Sequence, residues 1–175
     1  MSMISQIGVV TAMNLRNVPQ RLGTSLVIAI VCANELPLLQ LVSLVAPAIA
    51  MGNTVVVVPS ARHPLAATDL YQVLDTSDVP GGVVNIVTGL PSELAPVLAA
   101  HDAVDAIWYF ADPSGEAAVE RASGGNMKRT FSAHGLTRDW LDSEQGEGRE
   151  LLREATQVKN IWVPYGEMIA KDSSY

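Results

Sequence analysis

Apolar and polar residues alternate along the chain in blocks that favour strands and helices in turn. Short apolar, β-branched runs predict strands, and longer segments with apolar residues at helical spacing predict helices. Gly52 lies just beyond one predicted helix, where glycine commonly ends a helix. The predicted strands are residues 25–32, 54–58, 83–87, 106–110 and 129–132, and the predicted helices between them are residues 38–50, 64–75, 92–100 and 116–123.

The valines at positions 55–58 indicate a strand that is buried on both faces. Such strands are typical of a parallel sheet that is covered by helices, with right-handed crossovers between consecutive strands. The sequence therefore predicts an α/β fold with a Rossmann-like, doubly wound, mostly parallel sheet. Ligands bind such sheets at the carboxyl ends of the strands, so we expect a site at that edge.

The character of the chain changes after Gly135, where charged residues become frequent. We predict a lead-in at residues 1–20, the α/β domain at 21–135, a charged linker at 136–148 and a tail at 167–175. Residues 149–166 are expected to form a short C-terminal extension of a helix, 149–158, and a strand. The strand contains Ile161, Trp162 and Val163, which we expect either to pack on their own domain or to form an interface with a partner.

The apolar stretch at residues 22–59 is long enough to resemble a membrane span. Asn34, Glu35 and Pro37 interrupt it, and a charged residue at the centre of a bilayer is costly. A buried strand–helix–strand unit explains the same run, so no membrane span is predicted. The first twenty residues lack the pattern of a secretory signal, and we expect a cytoplasmic location.

Composition narrows the possible functions. The chain has 175 residues, of which 49% are hydrophobic, so it can bury a core. Its net charge of −7 provides no long-range attraction for nucleic acids or anionic membranes. The single cysteine excludes an internal disulfide, and the three histidines, His63, His101 and His134, are too far apart in sequence for a local metal motif. We therefore expect no metal site.

Two motifs carry a resemblance to a known family. Residues 48–57 read Ala-Ile-Ala-Met-Gly-Asn-Thr-Val-Val-Val, and residues 80–89 read Pro-Gly-Gly-Val-Val-Asn-Ile-Val-Thr-Gly. They resemble, in the right order, an alanine-rich helix with its valine strand and a proline-glycine turn with its strand in the aldehyde dehydrogenase superfamily. The resemblance covers residues 20–135, and it implies the cofactor domain of an NAD(P)-dependent oxidoreductase.

The resemblance also implies where the catalytic groups of the superfamily fall, and each position is altered here. That chemistry uses a cysteine thiolate, an asparagine amide in the oxyanion hole and a glutamate general base. Glu35 occupies the amide position, with Asn34 one residue away, and Ser132 occupies the general-base position. Cys32 precedes the nucleophile segment and is expected to be a buried core thiol. We therefore expect no catalytic residue.

The cofactor contacts implied by the resemblance are altered as well. Val58 and Ala61 stand where a lysine and a glutamate hold the adenosine ribose in the superfamily. Asp112 stands in the turn that receives the pyrophosphate, where its negative charge opposes binding of an anion at the following helix. We expect no cofactor, and NAD binding by the remaining backbone pocket is the open alternative.

Four segments are most similar to the degenerate, non-catalytic C-terminal domain of the sixteenth aldehyde dehydrogenase family: residues 51–60, 107–110, 125–128 and 159–164. This resemblance implies a pseudoenzyme with a structural, oligomerisation or scaffolding role. Its partners would be a second copy, an aldehyde dehydrogenase domain of a longer product, or another protein. Two alternatives stay open: a fragment that binds NAD and acts with a catalytic domain supplied elsewhere, and a small-molecule sensor that uses the altered pocket.

Overall fold

The predicted alternation of strands and helices is present in the computed structural model, which describes residues 26–157. Five strands and six helices follow one another along these residues. The strands are β1 (Val27–Val31), β2 (Thr54–Val58), β3 (Val84–Ile86), β4 (Ala106–Tyr109) and β5 (Arg129–Ser132). The helices are α1 (Pro37–Ala50), α2 (Leu65–Asp75), α3 (Pro91–Ala100), α4 (Pro113–Ser123), α5 (Ser143–Glu147) and α6 (Arg149–Glu154), and a 3₁₀ turn spans Gly124–Asn126.

The strands form one parallel sheet in the order β3-β2-β1-β4-β5. β1 is central, with Ile28 opposite Val55 of β2 on one side and opposite Ala106 of β4 on the other. The strand order therefore reverses between β1 and β4. The loops that leave the carboxyl ends of these two strands diverge, and a crevice opens between them. The predicted doubly wound α/β fold is confirmed.

Two hydrophobic cores lie on opposite faces of the sheet. Ile28 and Ile30 point into a core with residues of α1, α2 and α6, whereas Ala29 and Val31 point into a core with residues of α3 and α4. All five residues of β2 are buried, as the valine run predicts. Within residues 26–157 no helix is long and apolar enough to cross a membrane.

Most predicted boundaries agree with the structure, and the differences have local causes. Helix α4 begins at Pro113 instead of residue 116, because the Asp112 side chain accepts the Gly115 N–H and caps the helix. Helix α5 lies within the predicted charged linker, where the Asp142 side chain caps it in the same way. Helix α6 ends at Glu154 instead of residue 158. The predicted strand at residues 160–166 lies outside the described residues.

The C-terminal extension is tied to the amino-terminal edge of the sheet. The buried Asn53 amide donates to the Ala155 carbonyl at 2.7 Å, and its oxygen accepts the Leu26 N–H at 2.9 Å. Arg129 at the start of β5 donates to the Thr156 carbonyl and pairs with Glu154 at 3.1 Å. Leu151 is buried in the same core as β1. Residues 149–156 are therefore an integral part of the domain.

Candidate functional site

A pocket of about 370 Å³ lies at the carboxyl ends of β1, β4 and β5, at the point where the strand order reverses. The predicted site residues Glu35 and Asp112 both line this pocket, together with Glu116 and Arg138. The three other predicted positions, Val58, Ala61 and Ser132, do not line it. Val58 is fully buried in a core, and Ala61 lies in the loop after β2. Neither side chain is polar, so neither can make the ribose contacts of the lysine and glutamate in the superfamily.

The loop after β1 lines the pocket with Asn34 and Glu35. Glu35 is exposed at the predicted amide position. The Asn34 side-chain oxygen accepts hydrogen bonds from the Ser60 hydroxyl at 2.9 Å and from the Arg62 N–H at 3.1 Å. Asn34 therefore fastens the loop after β1 to the loop after β2. A carboxylate at position 35 would repel a developing oxyanion.

The turn after β4 contains Asp112, whose side chain caps the N-terminus of α4. Asp112 accepts the Gly115 N–H at 3.1 Å, the Tyr109 hydroxyl at 2.8 Å and the Ser114 hydroxyl. These donors hold the pKa of the Asp112 carboxyl below its usual range. The Ser114 hydroxyl has the largest effect, and the Tyr109 hydroxyl has the next largest. A helix N-terminus attracts anions through its unpaired N–H groups and its dipole. At the N-terminus of α4 the carboxylate of Asp112 already occupies the position where such an anion would bind.

Gly115 is needed because Tyr109 is close. A β-carbon at position 115 would overlap the Tyr109 hydroxyl, which reaches under the first turn of α4. Burial and the Asp112 carboxylate both raise the pKa of Tyr109 well above its ordinary value, so the phenol stays protonated and continues to donate. The role of this tyrosine was not predicted, because on the strand it has the pattern of a core residue, and it is indeed buried.

Ser132, at the general-base position, is buried and donates to the carboxylate of Glu116. The same carboxylate accepts the N–H groups of His134 at 2.8 Å and Gly135 at 3.1 Å. Glu116 belongs to the first turn of α4, and its side chain is only 14% exposed. It therefore holds the loop after β5 against α4. Sequence reasoning missed Glu116, although its spacing of four residues from Glu120 on one helix face was visible.

Arg138 closes one side of the pocket within an aromatic cluster. Its guanidinium lies 5.7 Å from the ring centres of Phe110 and Phe131 and 5.3 Å from that of Trp140. It also pairs with Glu150 at 2.9 Å and donates to a carbonyl of α5. Arg138 therefore joins the C-terminal helices to the sheet, through cation–π contacts and hydrogen bonds.

Cys32 follows β1 directly and is 1% exposed. Burial raises the pKa of its thiol to about 12, so the thiolate needed for nucleophilic attack is not formed near neutral pH. The expectation of a buried core thiol is confirmed. The predicted interface residues Ile161, Trp162 and Val163 lie outside the described residues.

The fold agrees with comparisons to known proteins. The aldehyde dehydrogenase family model matches residues 15–135. The chain belongs to the aldehyde dehydrogenase family. It is 35% identical over 106 residues to the NADP/NAD-dependent aldehyde dehydrogenase PuuC of Escherichia coli (strain K12), over 60% of this chain and 21% of that protein. It is 38% identical over 111 residues to a 2-hydroxymuconic semialdehyde dehydrogenase of Pseudomonas sp. (strain CF600), over 62% of this chain and 23% of that protein.

Among solved structures, a 3,6-anhydro-L-galactose dehydrogenase in complex with NAP is similar, with a TM-score of 0.60 and 28% identity. The match covers 62% of this chain and 23% of that one. The chain therefore spans less than a quarter of the length of these relatives. What it shares with them is the Rossmann-like part of the family fold.

Proposed function

We propose that this aldehyde dehydrogenase family chain is catalytically inactive by itself and has a structural role, in oligomerisation or as a scaffold. Cys32 carries the proposal. It is the one cysteine of the sequence, and its thiol is buried and protonated at neutral pH. Covalent aldehyde oxidation needs an accessible thiolate, and residues 26–157 offer none.

The surroundings of the two other catalytic positions support this function. A serine hydroxyl at position 132 has no useful proton affinity near neutral pH, and it is already engaged with Glu116. Glu116 itself accepts three hydrogen bonds, from Ser132, His134 and Gly135, so both of its carboxylate oxygens are already engaged. At the amide position, Glu35 supplies a negative charge where a donor is required.

The capping of α4 by the Asp112 side chain supports a loss of cofactor binding. To admit a pyrophosphate at this helix N-terminus, Asp112 would have to leave its three donors and move away from the incoming charge. The ribose position offers only Val58 and Ala61, which provide no polar side chain. NAD binding here would therefore lack the two polar side chains that hold the ribose in the superfamily.

The partner we propose is a second copy of this chain or an aldehyde dehydrogenase domain of a longer product. The similarity of residues 159–164 to the C-terminal domain of the sixteenth aldehyde dehydrogenase family supports this choice. Ile161, Trp162 and Val163 are the proposed interface, and the cytoplasm is the proposed location. Light scattering of the chain with and without residues 159–175 tests the interface. An unchanged molecular mass after truncation would remove it from the proposal.

Catalytic inactivity is tested with the purified chain, NAD or NADP, and a panel of short aliphatic and aromatic aldehydes. We expect no reduction of the cofactor above the rate without protein. The matched control is Cys32→Ser, because activity from a contaminating enzyme would be the same in both samples. Aldehyde oxidation that disappears in Cys32→Ser would overturn the proposal.

The second candidate function is an NAD-binding fragment that acts with a catalytic domain supplied elsewhere. The pocket at the strand reversal favours it, since this is where dinucleotides bind such sheets. Calorimetric titration with NAD and NADH separates the two candidates. A dissociation constant tighter than about 100 μM, equivalent to about 5.5 kcal/mol, would support the second candidate. We expect weaker binding, and we expect Asp112→Ser to strengthen it by removing the competing carboxylate.

A further inference from the structure

Three side chains with metal-binding atoms meet on the outer side of α4. Glu116 and Glu120 lie one helical turn apart, and His134 approaches them from the loop after β5. One carboxylate oxygen of each glutamate and a ring nitrogen of the histidine all lie within 4.8 Å of one another. This cluster was not predicted from the sequence, because the histidine is fourteen residues beyond the second glutamate and comes from a different element.

The distances within this Glu116–Glu120–His134 cluster suit a shared cation better than direct hydrogen bonds. His134 Nδ1 lies 3.6 Å from Glu116 Oε1 and 3.8 Å from Glu120 Oε1. Both separations exceed the range of a hydrogen bond. Tetrahedral ligands about 2.0–2.1 Å from a zinc ion are about 3.4 Å from one another. Inward shifts of a few tenths of an ångström would therefore bring both histidine–glutamate pairs to ligand spacing, and rotation of the exposed Glu120 side chain would adjust the remaining separation between the two glutamates, which is within 4.8 Å.

The Glu116 carboxylate and the backbone of residue 134 are held in place before any ion binds. The Glu116 carboxylate is fixed by Ser132 and by the N–H groups of His134 and Gly135. The His134 backbone adopts a left-handed conformation, with φ at +50°, which directs this short stretch of chain back towards α4. Supporting hydrogen bonds of this kind orient metal ligands and reduce the entropy lost on binding.

Charge balance gives an independent reason to expect a cation. Within residues 26–157, neither Glu116 nor Glu120 has a Lys or Arg partner within 4 Å. The partly buried Glu154 and the salt-bridged Glu150, in contrast, are each paired with an arginine. Glu116 is the most enclosed of these carboxylates, with 14% of its side chain exposed, and among residues 26–157 its buried charge, which is costly, is offset by His134 and three hydrogen-bond donors without a Lys or Arg.

We propose that Glu116, Glu120 and His134 bind a divalent transition-metal ion of the Zn²⁺ class. An imidazole with two carboxylates suits zinc and its neighbours, whereas Mg²⁺ and Ca²⁺ prefer oxygen ligands alone. Three protein ligands leave a coordination position for water. The ion clips the loop after β5 to α4, and so stabilises the wall of the pocket to which Glu116 and Gly135 belong.

The test uses the full chain, freed of any affinity tag and treated with a chelator, and titrated with Zn²⁺ by calorimetry and with Co²⁺ by visible absorption. Ligand variants are Glu120→Gln and His134→Asn. Both side chains are substantially exposed, and asparagine tolerates the left-handed backbone at position 134. Matched controls are Glu93→Gln, at a glutamate in the first turn of α3, and His63→Asn, at another exposed histidine.

We expect one Zn²⁺ per chain with a dissociation constant below about 100 μM, and a higher melting temperature with Zn²⁺. Each ligand variant should weaken binding by about tenfold or more, since even the loss of an outer-shell partner has that effect. Tetrahedral Co²⁺ absorption should disappear in both ligand variants and persist in both controls. Absence of binding to the wild-type chain would overturn the proposal, as would binding that survives in Glu120→Gln and His134→Asn.

Discussion

Asn53 offers the sharpest test of how the C-terminal extension is held. Its side chain is 2% exposed and makes hydrogen bonds to Leu26, Ala48 and Ala155. In Asn53→Ala, the Ala48 carbonyl keeps a partner, because the backbone N–H of residue 53 also donates to it. The Leu26 N–H and the Ala155 carbonyl both lose the amide, and both residues are buried.

An unsatisfied buried backbone group costs about 1–3 kcal/mol. Two such groups, with some relief from water entering the space, give an expected loss of about 2–4 kcal/mol in the free energy of unfolding. For a chain of this size, that corresponds to a fall in melting temperature of about 5–15 °C. The loss is a large fraction of the total stability of an ordinary domain.

Urea unfolding followed by tryptophan fluorescence measures the effect, since Trp108 and Trp140 are both buried in the core next to the C-terminal helices. The control is Asn34→Ala, the same substitution at an exposed asparagine with two hydrogen bonds, for which we expect about 1 kcal/mol or less. If Asn53→Ala costs no more than this control, the buried amide does not secure the extension.

Three further predictions concern the pocket and its turn. Native Cys32 should resist alkylation at pH 8 and react fully in denaturant, because its pKa of about 12 keeps it protonated; rapid native labelling would contradict its burial. Gly115→Ala should cost about 1–3 kcal/mol in urea unfolding by displacing Tyr109, and Tyr109→Phe should restore part of the loss. The pKa of Asp112 is lowered in the folded chain, so its carboxylate stabilises the fold at pH values above its unfolded pKa of 3.8. That stabilisation is lost as the pH falls through the folded pKa. The Asp112→Asn variant should therefore lose less stability below pH 4 than the wild-type chain.

The sheet was predictable because burial on both faces leaves a plain signal. The valines of β2 and the short apolar run of β4 mark the strands within a residue. The predicted helix boundaries were wrong where a single capping side chain sets the first residue of the helix. Asp112 starts α4 three residues early, and Asp142 starts α5 inside a charged segment that has no apolar periodicity. Each aspartate stands at the N-cap of its helix, and this local signal could have been found in the sequence.

The internal contacts of the pocket could not be predicted from positions along the chain. Matching motifs along the chain identified Glu35 and Asp112, which the fold brings to one pocket. No one-dimensional pattern shows that Glu116 would accept the hydroxyl of Ser132, because this contact depends on how α4 packs beside β5. For the same reason, the approach of His134 to α4 appears only in the folded chain.

The amide of Asn53 touches the backbone at both ends of the described chain, just before β1 and just after α6. Residues 26 and 155 therefore lie close together, at the edge of the sheet opposite the pocket. A fluorescent protein or affinity handle fused directly to residue 26 or to residue 157 would attach behind the crevice and leave its mouth open. A short linker joining residues 157 and 26 would likewise permit a circular permutant, with new ends cut into an exposed loop such as the one after α2.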